Sequence, residues 1–175
     1  MKTNFKKSNQ SGFSLIETVI YLALFGIVIG GVVVSVYAMF ESSSRNQTKA
    51  MVQEEGTFLL GKLDWALTGA SAVSAPTSVQ LSINRNGIPS TDNPLTFDAS
   101  GGRITLARGT SAAQVLNNTN ITIASSGINP IFTHTLASGD GIVPESIKIL
   151  FTLTALTPNG QQYSQDFSTV KYLRK

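Results

Sequence analysis

Residues 6–17 read KKSNQSGFSLIE, and an apolar run without formal charge follows from Thr18 to Phe40. As an α-helix with a rise of about 1.5 Å per residue, this run would extend roughly 34 Å, enough to cross the hydrocarbon core of a bilayer. Glu17 stands at the start of the run, where a carboxylate is costly to bury without a partner. An ordinary membrane anchor does not explain an acid at that position.

Three lysines precede the apolar run, at Lys2, Lys6 and Lys7. Because positive residues are retained on the cytoplasmic side of a membrane, they predict an N-terminus inside the cell and the bulk of the chain outside. A secretory signal peptide has a small-residue cleavage site after its apolar region. Here the small residue, Gly12, comes before that region. A cut there would leave the hydrophobic helix on the mature protein, so we expect the helix to be a structural element of an assembly.

The segment GFSLIE, residues 12–17, resembles the processing site of type IV prepilins and type II secretion pseudopilins. The resemblance implies that residues 1–12 are a basic leader, which a prepilin peptidase removes by cutting between Gly12 and Phe13. It also implies that Phe13 becomes the N-methylated first residue and that Glu17 is the assembly glutamate. The implied partners are the peptidase, other pilin or pseudopilin subunits, an inner-membrane assembly platform and, before assembly, membrane lipid. The implied location is the inner membrane, followed by an extracytoplasmic or cell-surface filament.

Glu17 has two physical interpretations. A cut at Gly12 exposes a positive amine on Phe13, and a neighbouring subunit shifted along an assembly axis could bring its own amine to Glu17. In a medium of low dielectric constant a paired carboxylate costs much less than an unpaired one, so this pairing would select the register between subunits. Alternatively, Glu17 only complements the helix macrodipole in the first turn. The spacing from Gly12 and Phe13 favours the docking role.

The composition limits the function classes. Three of the 13 basic residues lie in the leader, which has no acid, so ten basic and ten acidic residues follow Gly12. The mature side chains are formally neutral, and charge gives no argument for a nucleic-acid partner. The chain has no cysteine, which excludes a disulfide framework and a thiolate metal site. We predict no metal and no cofactor.

The helix is expected to continue beyond the membrane span of residues 13–40. Between residues 41 and 68 there is no proline, and apolar residues recur at spacings of seven, four and three, at Val52, Leu59, Leu63 and Ala66. This pattern is typical of an amphipathic helix with one buried stripe. Residues 69–78, which are rich in Gly, Ala and Ser, are expected to end the helix and form a connector.

Residues 79–175 alternate between apolar and polar positions in short segments that Gly, Asn, Ser and Pro separate. Such alternation predicts antiparallel strands with one packed face. The alternating segments are 79–83, 104–106, 121–123, 132–136 and 147–153. The turn sequence Pro158-Asn159-Gly160 predicts a hairpin between strand 146–156 and strand 162–172. We therefore predict an α+β fold, in which a long N-terminal helix packs its second half against a C-terminal antiparallel sheet.

The order of the strands adds a looser resemblance, to the J-type minor pseudopilins and their type IV pilus counterparts. It consists of the pattern I-T-L-x-R at 104–108, then N-I-T-I at 120–123, then a long apolar strand. It implies a minor subunit that helps to start a filament. The alternative is an N-terminally anchored surface domain that binds a ligand and does not polymerise.

An enzymatic function is not expected. His134 is the only histidine, and its alternation with apolar neighbours favours a packed or edge position over a catalytic one. Four loop acids could offer oxygen ligands to calcium, but they lack the fixed spacing of a calcium loop, which favours solvated turn acids. These acids are Asp92, Asp98, Asp140 and Glu145. Trp65 is expected to pack in the core near the helix end.

Overall fold

A computed structural model describes residues 12–139 and 142–173. It divides into two compact units, with the division between Ser43 and Ser44. One long helix, α1 (Leu15–Leu67), has its first part in the first unit and its remainder in the second. Strands follow the helix throughout the second unit. The α+β class predicted from the sequence is confirmed.

The described part of the first unit is helical from Leu15 onward, as the absence of proline and of formal charge in the run to Phe40 allows. The helix is long and apolar enough to cross a membrane, and none of its most apolar window is buried within the protein. Large apolar side chains from Phe13 to Phe40 are exposed on all sides of it. A helix that is apolar all round needs a non-aqueous surrounding. Lipid or other apolar helices can provide it.

The second unit contains two antiparallel sheets. In the first sheet the strands follow chain order: β1 (Ala70–Thr77), β2 (Gln80–Arg85), β3 (Leu95–Asp98), β4 (Thr105–Arg108) and β5 (Gln114–Val115). The second sheet is built on a long strand, and its members are β6 (Ile121–Ala124), β7 (Phe132–Thr135), β8 (Ser146–Leu156) and β9 (Gln162–Tyr172). Along β8, β9 pairs with one edge over the full length, while β6 and β7 pair with different parts of the strand.

The second half of α1 provides one wall of the core. All four stripe residues predicted from the sequence are fully buried, and Thr48, Gly56 and Leu67 extend the stripe. They pack with the inward-facing residues of both sheets in one continuous cluster. The amphipathic stripe is therefore confirmed as the surface on which the sheets fold. Burial of this kind, at about 25 cal/mol per Å² of apolar area, is the main stabilising term of such a unit.

The predicted hairpin is also confirmed, with both strand boundaries at the expected residues. Gly160 has a φ of +76°, a conformation that glycine adopts without strain. The backbone N–H of Thr157 donates to Gln161 O, and that of Gly160 donates to Thr157 O. These bonds close the turn between β8 and β9.

The segment 69–78, which we expected to be a connector, is largely strand β1. Among its residues only Val73 is buried, so the segment lacks the alternation of apolar residues by which the other strands were found. Pairing with β2 determines its structure instead, and the register shifts between Ser74 and Thr77, around Pro76. Proline is tolerated at such an irregular, outer position because the strand loses no essential hydrogen bond there. Strand β3 was also missed.

Candidate functional site

The segment around Glu17 begins with a helix cap. Ser14 precedes the first helical residue, and its Oγ accepts a hydrogen bond from the backbone N–H of Glu17 at 3.3 Å. A serine followed three residues later by a glutamate is the sequence pattern of a capping box. Ser14 therefore fixes the start of α1. Glu17 lies in the first turn, where its charge also suits the helix macrodipole.

The Glu17 carboxylate lies on one face of α1 with two aromatic rings. The hydroxyl of Tyr21 donates to Glu17 Oε1 at 3.2 Å. The ring of Phe13 packs edge-on against that of Tyr21, with 6.1 Å between the ring centroids. Residues 13, 17 and 21 are spaced by four and so share a face. The sequence analysis did not identify Tyr21, although its position four residues after Glu17 places both side chains on the same face of a helix.

This arrangement leaves the carboxylate ready for a cation. Glu17 is only partly buried within the protein, and the side chain that donates to it is a phenol, which does not neutralise its charge. In a lipid or protein surrounding of low dielectric constant, an ionised carboxylate is strongly favoured by a positive partner. Chemically, the face formed by Phe13, Glu17 and Tyr21 can receive an amine.

The structure describes two of the residues expected at the processing site, Gly12 and Phe13. Gly12 lies in the segment before α1, and a side chain added there would meet no atom of residues 12–139 and 142–173 within 4 Å, apart from its chain neighbours. Phe13 follows it and is 74% exposed. The leader lysines Lys2, Lys6 and Lys7 lie outside the described residues.

His134 and two acids of the second unit, Glu145 and Asp98, make contacts within that unit. His134 Nε2 lies 3.0 Å from Glu145 Oε1, and both side chains are only 15% exposed. Asp98 accepts hydrogen bonds from Gln80 Nε2 at 2.7 Å and from the backbone N–H of Ser100 at 2.9 Å, and the first of these contributes most to a lowered pKa of the carboxyl group.

Within residues 12–139 and 142–173, no group of three or more His, Asp or Glu side chains is placed to hold a metal ion. Asp140, one of the loop acids considered as calcium ligands, lies outside these ranges.

Two side chains of the second unit behave differently from expectation. Trp65 is 40% exposed instead of packed in the core, and the guanidinium of Arg85 lies over its ring at 4.2 Å from the centroid. Asn117, which the sequence did not single out, is buried. Its Oδ1 accepts from the N–H of Ile104 at 2.9 Å, and its Nδ2 donates to Ile121 O at 2.6 Å. This amide joins the two sheets.

Comparison with known proteins gives one match. Residues 7–33 match the family model described as the prokaryotic N-terminal methylation motif, the signature of type IV pilins and pseudopilins. The matched residues include Gly12, Phe13 and Glu17. No curated protein and no solved structure matches the chain.

Proposed function

We propose that this chain, whose N-terminal segment carries the type IV pilin and pseudopilin signature, is the precursor of a structural subunit of a type IV pilus or a type II secretion pseudopilus. The observation that carries the proposal is the coincidence of that motif with the first part of α1, whose large apolar side chains up to Phe40 are exposed and whose first turn contains Glu17. The signature is that of a structural subunit and not of an enzyme.

Before assembly, the first part of α1 would be a single membrane span. The length and composition of the helix are compatible with a bilayer. The three leader lysines favour a cytoplasmic N-terminus, which leaves the second unit on the outer side of the inner membrane. Lipid would then cover the apolar side chains that the protein itself leaves exposed.

Processing would convert this membrane span into the helix by which the subunit packs in a filament. A prepilin peptidase cuts between Gly12 and Phe13, and the new amino group of Phe13 is methylated. The amine keeps its positive charge after methylation, and in a filament it reaches the Glu17 carboxylate of a neighbouring subunit. The hydroxyl of Tyr21 supports that carboxylate from the adjacent turn. Leaving either charge unpaired in an apolar core would cost about 3–5 kcal/mol, so subunits in the wrong register are disfavoured.

The finer part of the proposal is a minor, J-type-like subunit that helps to start the filament. It is supported by the order of segments 104–108, 120–123 and 146–156, whose residues form or flank β4, β6 and β8. Its partners would be other pilin or pseudopilin subunits and an inner-membrane assembly platform.

The test is a pair of neighbouring substitutions, Glu17→Val and Thr18→Val, in cells that produce the filament. Both replace a polar side chain with the same apolar one in the first turns of α1. We expect each variant to insert in the membrane, because removing a charge does not hinder insertion. Only Thr18→Val should appear in filaments sheared from the cells, detected by immunoblotting.

Equal recovery of both variants in sheared filaments would overturn the docking role of Glu17. Absence of the unmodified chain from filaments, with the full-length chain in the inner membrane, would instead favour an anchored surface domain that does not polymerise.

A further inference from the structure

A groove in the second unit combines exposed aromatic rings with positive charge. It has a volume of about 560 Å³ and lies between α1 and the first sheet. The helix contributes Phe58, Lys62 and Trp65, and the sheet contributes Arg108 and Gln114. The two aromatic side chains, Phe58 and Trp65, are 45% and 40% exposed, so part of each ring is open to a ligand. We call this surface the aromatic–cationic groove.

The positions of the cations follow from the fold. Arg85 comes two residues after buried Ile83 on β2, and Arg108 comes two residues after buried Leu106 on β4. Because side chains alternate along a strand, both arginines lie on the helix-facing side of the sheet. Strand β3 lies between their strands, so the two backbones are roughly 10 Å apart. Lys62 faces them from the helix.

Arg85 is held in an orientation suited to an anion. Its guanidinium stacks on Trp65, and its Nε donates to Thr68 O at 3.0 Å. The two terminal nitrogens have no hydrogen-bond partner among the described residues. Lys62 Nζ lies 5.5 Å from the ring centroid of Phe58 in a similar manner. These contacts fix cations beside rings without neutralising them.

The described residues that line the groove include no aspartate or glutamate. Two acids, Glu54 and Glu55, lie on α1 about one turn before Phe58, and Glu55 accepts the backbone N–H of Asn118 at 2.9 Å. The formal neutrality of residues 13–175 therefore conceals a local surface with three positive side chains and two rings. Both features are required by one class of ligand, which carries phosphates and planar bases.

We propose that the aromatic–cationic groove binds single-stranded nucleic acid, with phosphates at Arg85, Arg108 and Lys62 and a base on Trp65 or its stacked guanidinium. Stacking on aromatic rings and charge contacts to the backbone are the two means by which proteins bind single strands without reading sequence. A duplex would bind less well, because its bases are already stacked on one another. The volume accommodates one or two nucleotides, so the groove would act as a contact point on a longer strand.

Trp65 provides a direct assay, since it is the only tryptophan of the chain. A 12-nucleotide oligothymidine is titrated into the full chain in detergent micelles at low salt, with Trp65 emission and the anisotropy of a labelled oligonucleotide recorded. We expect quenching of the emission together with binding, and a slope of about −2 in a plot of log K against log[salt], from three contacts at about 0.7 each. Thymidine monophosphate should bind at least tenfold more weakly than the oligonucleotide.

Three variants decide the assignment. Arg108→Gln should weaken binding at least fivefold. The Arg108 side chain forms no hydrogen bond with the residues that the structure describes, so the substitution should not destabilise the fold. Arg85→Gln combined with Arg108→Gln should weaken binding at least tenfold. Lys148→Gln is the matched control, because Lys148 is an exposed cation on β8 of the other sheet; it should change binding less than twofold.

Four results would overturn the inference: no quenching at 100-fold excess of oligonucleotide, equal loss of binding in Lys148→Gln, equal binding of duplex, or equal binding of inorganic polyphosphate of the same charge. None of these results bears on filament assembly, so the two proposals fail independently.

Discussion

The sharpest stability prediction concerns Gly56 of α1, which packs against the ring of Phe167 on β9. A methyl group built on this glycine would overlap the ring of Phe167, and the three nearest atoms all belong to that ring. Phe167 is buried and stacks on Phe151, with 5.6 Å between ring centroids. The ring therefore cannot move aside without loosening a second core side chain. We expect Gly56→Ala to destabilise the second unit although alanine is the better helix former.

The magnitude follows from two opposing terms. Replacing a helical glycine with alanine gains about 1 kcal/mol, whereas forcing extra volume into a packed core costs about 1–3 kcal/mol. Because the overlap is with the body of an aromatic ring, we take the upper end of the cost. The net loss for Gly56→Ala is then about 2 kcal/mol. Gly61 is the matched control: it lies in the same helix, and a methyl group built on it would meet no described atom within 4 Å outside the backbone of its own helix, so Gly61→Ala should gain up to about 1 kcal/mol.

The assay is thermal unfolding of the full chain in detergent, followed by Trp65 fluorescence and near-UV circular dichroism. At about 3–5 °C per kcal/mol for a unit of this size, Gly56→Ala should melt about 6–10 °C below the parent protein. Gly61→Ala should melt slightly above it. Trimming the ring in the double variant Gly56→Ala with Phe167→Leu should cost less than the sum of its single substitutions, because the clash is relieved. If Gly56→Ala were as stabilising as Gly61→Ala, the close packing of α1 on β9 would be refuted.

Three further predictions concern the second unit. Asn117→Leu should cost about 2–4 kcal/mol, since the N–H of Ile104 and a buried carbonyl lose their partner; urea unfolding measures this, and a loss below 1 kcal/mol would contradict it. The lowered pKa of Asp98 means that its carboxylate stabilises the fold fully above its unfolded pKa of about 4 and that this contribution is lost as the pH falls through the lower folded value. The Asp98→Asn variant should therefore be less stable than the parent protein at pH 7, and the difference in the free energy of unfolding should shrink below pH 4. A difference that stays constant from pH 7 to pH 3 would exclude a stabilising role for the Asp98 carboxylate. Asp64 and Lys171 form a surface ion pair, with 2.6 Å between Asp64 Oδ1 and Lys171 Nζ. Asp64→Asn removes the negative charge and should change the melting temperature by less than about 3 °C; a larger drop would show that the pair is more than a surface contact.

The features that the sequence predicted are those that local periodicity determines. The stripe from Val52 to Ala66 has helical spacing, and the alternation of β8 has a period of two, so each pattern identified its element before any partner was known. The turn at Asn159-Gly160 fixed the register of the last hairpin for the same reason. The motif at Gly12 to Glu17 was found because its residues are adjacent in the chain.

The features that were missed depend on partners distant in sequence. Strand β1 has little alternation and is defined by pairing with β2. Gly56 is informative only because Phe167, more than a hundred residues later, packs on it. Trp65 was expected in the core because a large ring near the helix end usually packs there. Its actual surroundings depend on Arg85, twenty residues later, whose guanidinium lies over the ring. The formal neutrality of residues 13–175 likewise concealed the local charge of the aromatic–cationic groove.

The central claim is that a cut at Gly12 creates the amine that a neighbour's Glu17 receives. The most direct measurement is mass spectrometry of the N-terminal peptide from the protein isolated from cells that contain a prepilin peptidase, with peptidase-deficient cells as the control. We predict a peptide that begins at Phe13 and carries one methyl group in the first sample, and a chain that keeps residues 1–12 in the second. A chain that begins at Met1 in both samples would contradict the claim.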